Sequence, residues 1–240
     1  MKKVIITGGS RGIGKEIINN LLKDKYFVFN ISRQEKFFQK KKNLQNFKGD
    51  VANFREIKII FEKIFKDNDI YALINNAGIN PSRKSITNTS LKDFASTLST
   101  NLVGPFNCSK LFLQKLLKKK RPGVIINISS IMGIVSAENR CSYSISKFGL
   151  VGLTKSLTAD YSSKKIRNFC ICPGYIETSL TKPFIKSLSK PDKIKLINQH
   201  KLKKLGKPID VYNLINFLLD EKKSSWMTGN IIPVDGAYIG

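Results

Sequence analysis

Apolar residues along this chain keep two alternating rhythms. Short β-rich runs, Val4–Thr7, Phe27–Ser32, Ala72–Asn75, Gly123–Ser129, Arg167–Cys172 and Gly229–Val234, predict buried strands. Between them lie stretches with helical periodicity: Gly14–Lys25, Phe54–Lys66, Leu91–Leu98, Pro105–Lys119, Ser142–Ser162 and Asp210–Leu219. In Phe54–Lys66 the residues Ile57, Ile60, Phe61, Ile64 and Phe65 mark the inward face. Strict β-α-β alternation predicts a doubly wound parallel sheet in a three-layer α/β/α arrangement, with ligands at the carboxyl ends of the strands. The segment 177–208 is the least strand-like and the richest in Lys, so a small helical lobe over the site is expected there. The 240 residues read as one domain.

Composition changes this picture in one respect. With 41% hydrophobic and 25% charged residues the chain is ordinary for a globular domain, yet 42 Lys+Arg against 17 Asp+Glu give a net charge of +25. The basic residues spread over Lys36–Lys48, Lys115–Arg121 and Lys182–Lys207 without interleaved aromatics, which argues against nucleic-acid reading. A positive field suits phosphorylated ligands or an acidic carrier protein. Cys108, Cys141, Cys170 and Cys172 form no C-x-x-C pair and the single His is His200, so no metal site is expected. No signal-peptide pattern opens the chain, and no apolar run approaches the ~20 residues of a membrane span. A cytoplasmic protein without membrane attachment is the expectation.

Thr7-Gly8-Gly9-Ser10-Arg11-Gly12-Ile13-Gly14 follows the first strand and opens a helix. Glycines there permit a tight turn and close backbone approach, and the helix N-terminus offers N–H donors to a pyrophosphate. The spacing TG-x-x-x-GIG resembles that of the short-chain dehydrogenase/reductase family, whose fold is Rossmann-type. The resemblance continues in order through Asp50-Val51, Asn75-Asn76-Ala77-Gly78 and Asn101-Leu102-Val103-Gly104-Pro105-Phe106. Beyond these come Ser130, Tyr143-Ser144-Ile145-Ser146-Lys147, and Pro173-Gly174 with Ile176 and Thr178. It implies cofactor contacts at Gly8, Ser10, Arg11, Gly12, Ile13, Gly14, Asp50, Val51, Asn76, Ala77 and Gly78. Further contacts are implied at Tyr143, Lys147, Pro173, Gly174, Ile176 and Thr178.

The second strand ends in Ser32-Arg33, where an NAD-binding chain usually carries an acidic residue for the ribose 2′-hydroxyl. A hydroxyl with the guanidiniums of Arg33 and Arg11 suits a 2′-phosphate instead, so NADP(H) is the expected cofactor. Tyr143 and Lys147 stand four apart on a predicted helix, placing an ammonium where it would lower the phenol pKa and make Tyr143 the acid/base. Ser130 would donate to the carbonyl oxygen. By resemblance, Lys147 also holds the nicotinamide ribose and Asn101 anchors a proton-relaying water, which completes a catalytic set of Asn101, Ser130, Tyr143 and Lys147. His200 reads as solvated or partner-facing, Trp226 as packed near the last strand, and Cys141 as a neighbour of the substrate pocket.

The general pattern is most similar to 3-oxoacyl-(acyl carrier protein) reductases, on Met227–Gly236 and the Leu205–Pro208 turn, implying reduction of a carrier-linked 3-oxoacyl thioester in fatty-acid synthesis. Val-Asp-Gly-Ala at 234–237 and Asn80-Pro81-Ser82 depart from it toward sugar-acting relatives, which keeps a sugar or nucleotide-sugar reductase open. A non-catalytic NADP-binding regulator is the third reading. A homotetramer or dimer, assembled through the helices beginning near Pro105 and Ser142 and the last strand, is implied by the family.

Overall fold

The computed structural model describes residues 1–34, 41–81, 83–179 and 181–239; positions 36–40 of the first Lys-rich segment and Ser82 lie outside them. Seven parallel strands form one sheet in the order β3-β2-β1-β4-β5-β6-β7. They are β1 (Lys3–Thr7), β2 (Phe27–Ser32), β3 (Leu44–Lys48), β4 (Ala72–Asn75), β5 (Gly123–Ile128), β6 (Ile166–Pro173) and β7 (Asn230–Val234). Strand order reverses beside β1, which leaves a crevice between the loops leaving β1 and β4.

Central strands alternate between two cores, as a sheet covered on both faces requires. Val4, Ile6, Ile74, Ile126 and Ile128 point to one side and pack with α1 (Gly12–Lys23) and α8 (Pro208–Leu219). Ile5, Leu73 and Ile125 point to the other, against α2 (Phe54–Lys66), α4 (Gly104–Lys118) and α5 (Cys141–Tyr161). Phe61, Phe112 and Phe169 are among the largest fully buried side chains. The short α3 (Leu91–Leu98) runs into one wide π-helical turn, Ser99–Val103, before α4. Between β6 and α8 lie α6 (Lys182–Ser187) and α7 (Lys190–Asn198), whose Lys182, Lys186, Lys190, Lys193 and Lys195 are exposed. The four-residue α9 (Glu221–Ser224) precedes β7. Among the described residues no helix is long and apolar enough to cross a membrane.

Two expectations change. β3 was not visible in the hydrophobic pattern because Leu44-Gln45-Asn46-Phe47-Lys48 is a half-exposed edge strand with one fully inward residue, Leu44. Trp226 does not pack near β7; it is 99% exposed.

Buried amides lock the carboxyl edge of the sheet. Asn75 Nδ2 donates to Asn127 Oδ1 at 2.8 Å across β4 and β5, and Asn127 Nδ2 donates to Thr154 Oγ1 of α5 at 2.9 Å. Asn30 on β2 accepts from Gly9 N–H at 3.0 Å and donates to Asn46 of β3 at 2.9 Å. Buried amides hold direction only when satisfied. Asn127→Ala therefore leaves an Asn75 N–H unpaired and frees α5. The expected cost is about 2–3 kcal/mol, read as a lower urea midpoint with unchanged slope.

Candidate active site

β1 delivers the chain into the Gly-rich turn, and a polar clamp fixes that turn against the exit of β4. Thr7 Oγ1 accepts from the Asn76 and Ala77 N–H groups, both at 3.1 Å. Asn76 Nδ2 donates back to the carbonyls of Thr7 and Gly8 at 3.0 and 2.9 Å. Gly8 adopts φ +71°, and a Cβ there would sit 2.7 Å from Ala77 Cα. A Cβ on Gly14 would meet the Gly8 carbonyl at 2.4 Å. The sequence keeps glycine where the turn closes on itself.

α1 then starts with no capping side chain and no acidic residue in its first turn. In contrast, α2, α3, α7 and α9 are capped by Asn53, Ser90, Ser189 and Asp220. Free N–H groups and the positive end of the helix dipole at α1 fit an anionic diphosphate. Gly8, Ser10, Arg11, Gly12, Ile13 and Gly14 all line the cleft.

Ser32, Arg33, Asp50 and Val51 form its far wall. Ser32 is buried and donates to the Gln34 carbonyl at 2.7 Å. Among the described residues neither Arg11 nor Arg33 is paired with a carboxylate. Asp50 Oδ1 accepts from Ala52 N–H at 3.0 Å, bending the chain so that Val51 faces the cleft.

The near end is built on α5 and the π-helical turn. Asn101 is fully buried on that turn, accepting from Ile79 N–H at 2.8 Å and donating to the Ile79 carbonyl at 2.9 Å and Ser146 Oγ at 3.1 Å. Ser146 donates in turn to the Tyr143 carbonyl at 2.7 Å. A methyl on Gly78 would lie 3.3 Å from Asn101 Oδ1 and 3.7 Å from Lys147 Nζ, so all three predicted positions meet at one point. Lys147 Nζ donates to the Ile128 carbonyl at 3.0 Å and stands 5.6 Å from the Tyr143 ring centre. Ser130 caps the turn after β5, accepting from Met132 N–H at 3.1 Å, and its side chain favours the ionised form of the Tyr143 phenol.

Burial governs both titrating groups. It pushes the Tyr143 phenol up, against the opposing pull of the Ser130 hydroxyl and the Arg140 guanidinium. It pulls the Lys147 ammonium down to about 8. Two cations stand over the phenol ring: Lys147 Nζ is 5.6 Å and Arg140 Cζ 5.7 Å from its centre, and the Arg140 charge, which the i, i+4 spacing did not announce, pulls the phenol down. Lys147 turns back to the β5 carbonyl, with Cys170 and Cys172 of β6 behind it.

Asn76, Ala77, Gly78, Tyr143, Lys147 and Thr178 complete the cleft wall, while Asn101 and Ser130 stand directly behind it. Pro173, Gly174 and Ile176 do not line it. Pro173 is the buried end of β6, Gly174 abuts Asp235 and His200, and Ile176 turns into the α1–α8 core, in contact with Gly206. His200 is not solvated: it is 1% exposed, its Nε2 accepts from Tyr175 N–H at 3.4 Å, and its Nδ1 lies 3.1 Å from the Leu196 carbonyl. Cys141 borders a second hollow beside Tyr143, together with Arg140 and Lys84. Thr7, Ser146 and Arg140 were missed because their roles depend on long-range partners that no local spacing announces.

The family model for short chain dehydrogenases matches residues 2–188. Among curated relatives, the 3-oxoacyl-[acyl-carrier-protein] reductase of Staphylococcus epidermidis is 30% identical, with 98% of each chain covered. ElxO, solved with NADP bound, is 32% identical with a TM-score of 0.91, covering 99% of this chain and 98% of its own. The aldohexose dehydrogenase of Thermoplasma acidophilum, solved ligand-free, is 30% identical with a TM-score of 0.89, covering 99% of this chain and 94% of its own. Sheet order, the glycine turn and the Tyr143–Lys147 helix thus meet a whole-chain likeness in sequence and structure, and the chain belongs to the short-chain dehydrogenase/reductase family of oxidoreductases.

Proposed function

We propose that the chain is an NADP(H)-dependent oxidoreductase that interconverts a ketone and a secondary alcohol, with Tyr143 as the proton donor to the reduced oxygen. The observation that carries this is the pair Tyr143 and Lys147, with Nζ 5.6 Å from the ring centre, at the end of a cleft that begins on the uncapped N-terminus of α1. The bound cofactor supplies or accepts the hydride. Gly8 to Gly14 hold its diphosphate, and Arg11, Ser32 and Arg33 its 2′-phosphate. Asp50 and Val51 flank the adenine, and Asn76, Ala77, Gly78, Thr178 and Lys147 the nicotinamide half. Pro173, Gly174 and Ile176 shape the loop that carries Thr178.

Carbonyl reduction builds negative charge on oxygen. Ser130 donates to that oxygen, and Tyr143, kept neutral at pH 7 by burial, gives up its proton. The resulting phenolate is stabilised by Lys147 and Arg140, and Asn101 keeps the π-helical turn, and any relay to Lys147, in place.

A 3-oxoacyl thioester is the first substrate reading, supported by the Staphylococcus relative and by the exposed lysines of α6 and α7, which would steer an acidic carrier protein. A keto-sugar is the second, supported by the aldohexose dehydrogenase likeness. NADPH oxidation with a 3-oxoacyl thioester beside a keto-sugar panel separates them; turnover of neither class removes both. The half-exposed Val103, Phe106, Ile145 and Phe148 of the π-helical turn, α4 and α5 support a homotetramer or dimer, so light scattering at the 27.1 kDa monomer mass would refute assembly.

Tyr143→Phe should abolish turnover while NADPH fluorescence titration shows a dissociation constant within about twofold of the parent, because ring packing survives and only the proton is lost. Ser32→Asp with Arg33→Ala should weaken NADPH by about 10–100-fold relative to NADH, read as the ratio of kcat/KM values. The reductive kcat/KM should fall as pH rises through about 8, where Lys147 loses the proton whose charge supports the departing Tyr143 proton. A profile flat to pH 9.5 would contradict that role.

A further inference from the structure

One cluster beside the site is only partly used by the chemistry above, through the charge of Arg140. Arg140 stands at the N-cap of α5, three residues before Tyr143. Its Nη1 donates to Asn80 Oδ1 at 2.7 Å, and its Cζ is 5.7 Å from the Tyr143 ring centre. Arg83 comes from the loop after β4 and is stacked on Phe184 of α6 with Cζ 4.4 Å from the ring centre. Its Nη2 donates to the Tyr175 hydroxyl at 3.3 Å. The Arg140 guanidinium feels both the same Tyr175 side chain and the Arg83 charge, so the two guanidiniums sit on either side of one residue. Backbone pairing fixes the loop at this spot, since Lys84 N–H donates to the Asn139 carbonyl at 3.0 Å.

The partners of both guanidiniums are neutral. Among the described residues neither Arg83 nor Arg140 has a carboxylate within ion-pair distance; the nearby Asp93 is engaged by Lys84 at 3.0 Å. Arg140 is half-buried, and two like charges held together with one partly desolvated are unfavourable until an anion joins them. Each guanidinium carries five N–H donors and spends few of them here, leaving forked donors for an oxyanion. The cofactor's 2′-phosphate does not explain the pair. Ser32 ends β2, three strand spacings or about 14 Å from β5 and Ser130.

We propose that Arg83 and Arg140, gathered around Tyr175, form an anion clamp on the substrate side of Tyr143, and that the substrate carries a carboxylate or phosphate within a few bonds of its reacting carbon. This rests on the ketone-reductase reading for the word substrate, and on the geometry alone for the clamp. It sharpens the substrate question. A thioester's phosphopantetheine phosphate lies many bonds from the keto carbon, whereas a keto acid or sugar phosphate places its anion close to it. Arg140 then does two things at once, holding the anion and adding positive charge beside the phenol that gives up its proton.

The test pairs each anion with its neutral counterpart on the full-length protein: acetoacetate against methyl acetoacetate, and dihydroxyacetone phosphate against dihydroxyacetone. kcat/KM is read by NADPH oxidation. In parallel, inorganic phosphate and acetoacetate are titrated calorimetrically into the protein saturated with NADP⁺. The expectation is a preference of at least about tenfold for one anion of a pair, which also tells carboxylate from phosphate. Arg83→Gln and Arg140→Gln should each collapse that preference toward one, through KM more than kcat, and weaken the calorimetric binding by about tenfold or more, with partial recovery in Arg140→Lys. Arg83 is exposed, so its variant reports even where Arg140→Gln fails to fold. Equal turnover of acid and ester, and of phosphate and diol, overturns the clamp and leaves the reductase reading standing. Anion binding that depends on Arg83, with no ketone reduced, upholds the clamp and overturns the reductase reading. No anion binding and no preference overturns the clamp.

Discussion

The site depends on a buried ammonium. Lys147 is 5% exposed, its Nζ held by one backbone carbonyl at the end of β5, and its pKa falls to about 8 as a result. An ammonium in such surroundings costs several kcal/mol unless the protein supplies oriented dipoles. The fold supplies them by ending β5 at Ile128 under the side chain, and by clamping the α5 backbone through Ser129 Oγ, which donates to the Lys147 carbonyl at 2.9 Å. Displacing either element would leave a charge in the interior with nothing to meet it.

Much of the surrounding irregularity follows from keeping that helix and its neighbours in register. The π-helical turn Ser99–Val103 breaks the run from α3 into α4 and buries Asn101 where a regular helix would aim it elsewhere. Asn101 then ties the loop leaving β4, through Ile79, to Ser146 on α5. Glycines at 104 and 149 let Val51 and Leu102 approach the helices closely. Tyr143, Ser130 and Gly78 are thereby set by two strands, β4 and β5, and one helix, α5, which suits a site needing fixed geometry more than motion.

The strand–helix alternation was legible because each central strand is apolar on both faces, and the glycine turn because its residues sit where a Cβ would collide. Of the positions that local motifs mark, Gly8, Gly12, Gly14, Asn76, Gly78, Tyr143 and Lys147 line one cleft. Illegible features share a physical cause: they are decided by partners far along the chain. β3 carries one inward residue and exists because β2 offers it a ladder. His200 looked solvated in a Lys-rich segment, yet it fills the space between Tyr175 and Tyr238. Spacing put Tyr143 and Lys147 on one face, but gave no sign of the second cation; the backbone fold brings Arg140 over the same ring. Pro173 and Ile176 matched a loop motif while the fold spends their side chains on the core.

The state of the Tyr143 phenol before catalysis is the most direct test of this picture. With tyrosine labelled at Cζ, the carbon-13 shift of Tyr143, assigned by its loss in the Phe variant, can be followed from pH 6 to 11. The expected result is a phenol that stays protonated through neutral pH and titrates above the ordinary value of about 10, because burial outweighs the opposing pull of Ser130 and Arg140. A phenolate already present at pH 7 would contradict it, and would place the proton donor of the reduction on another group.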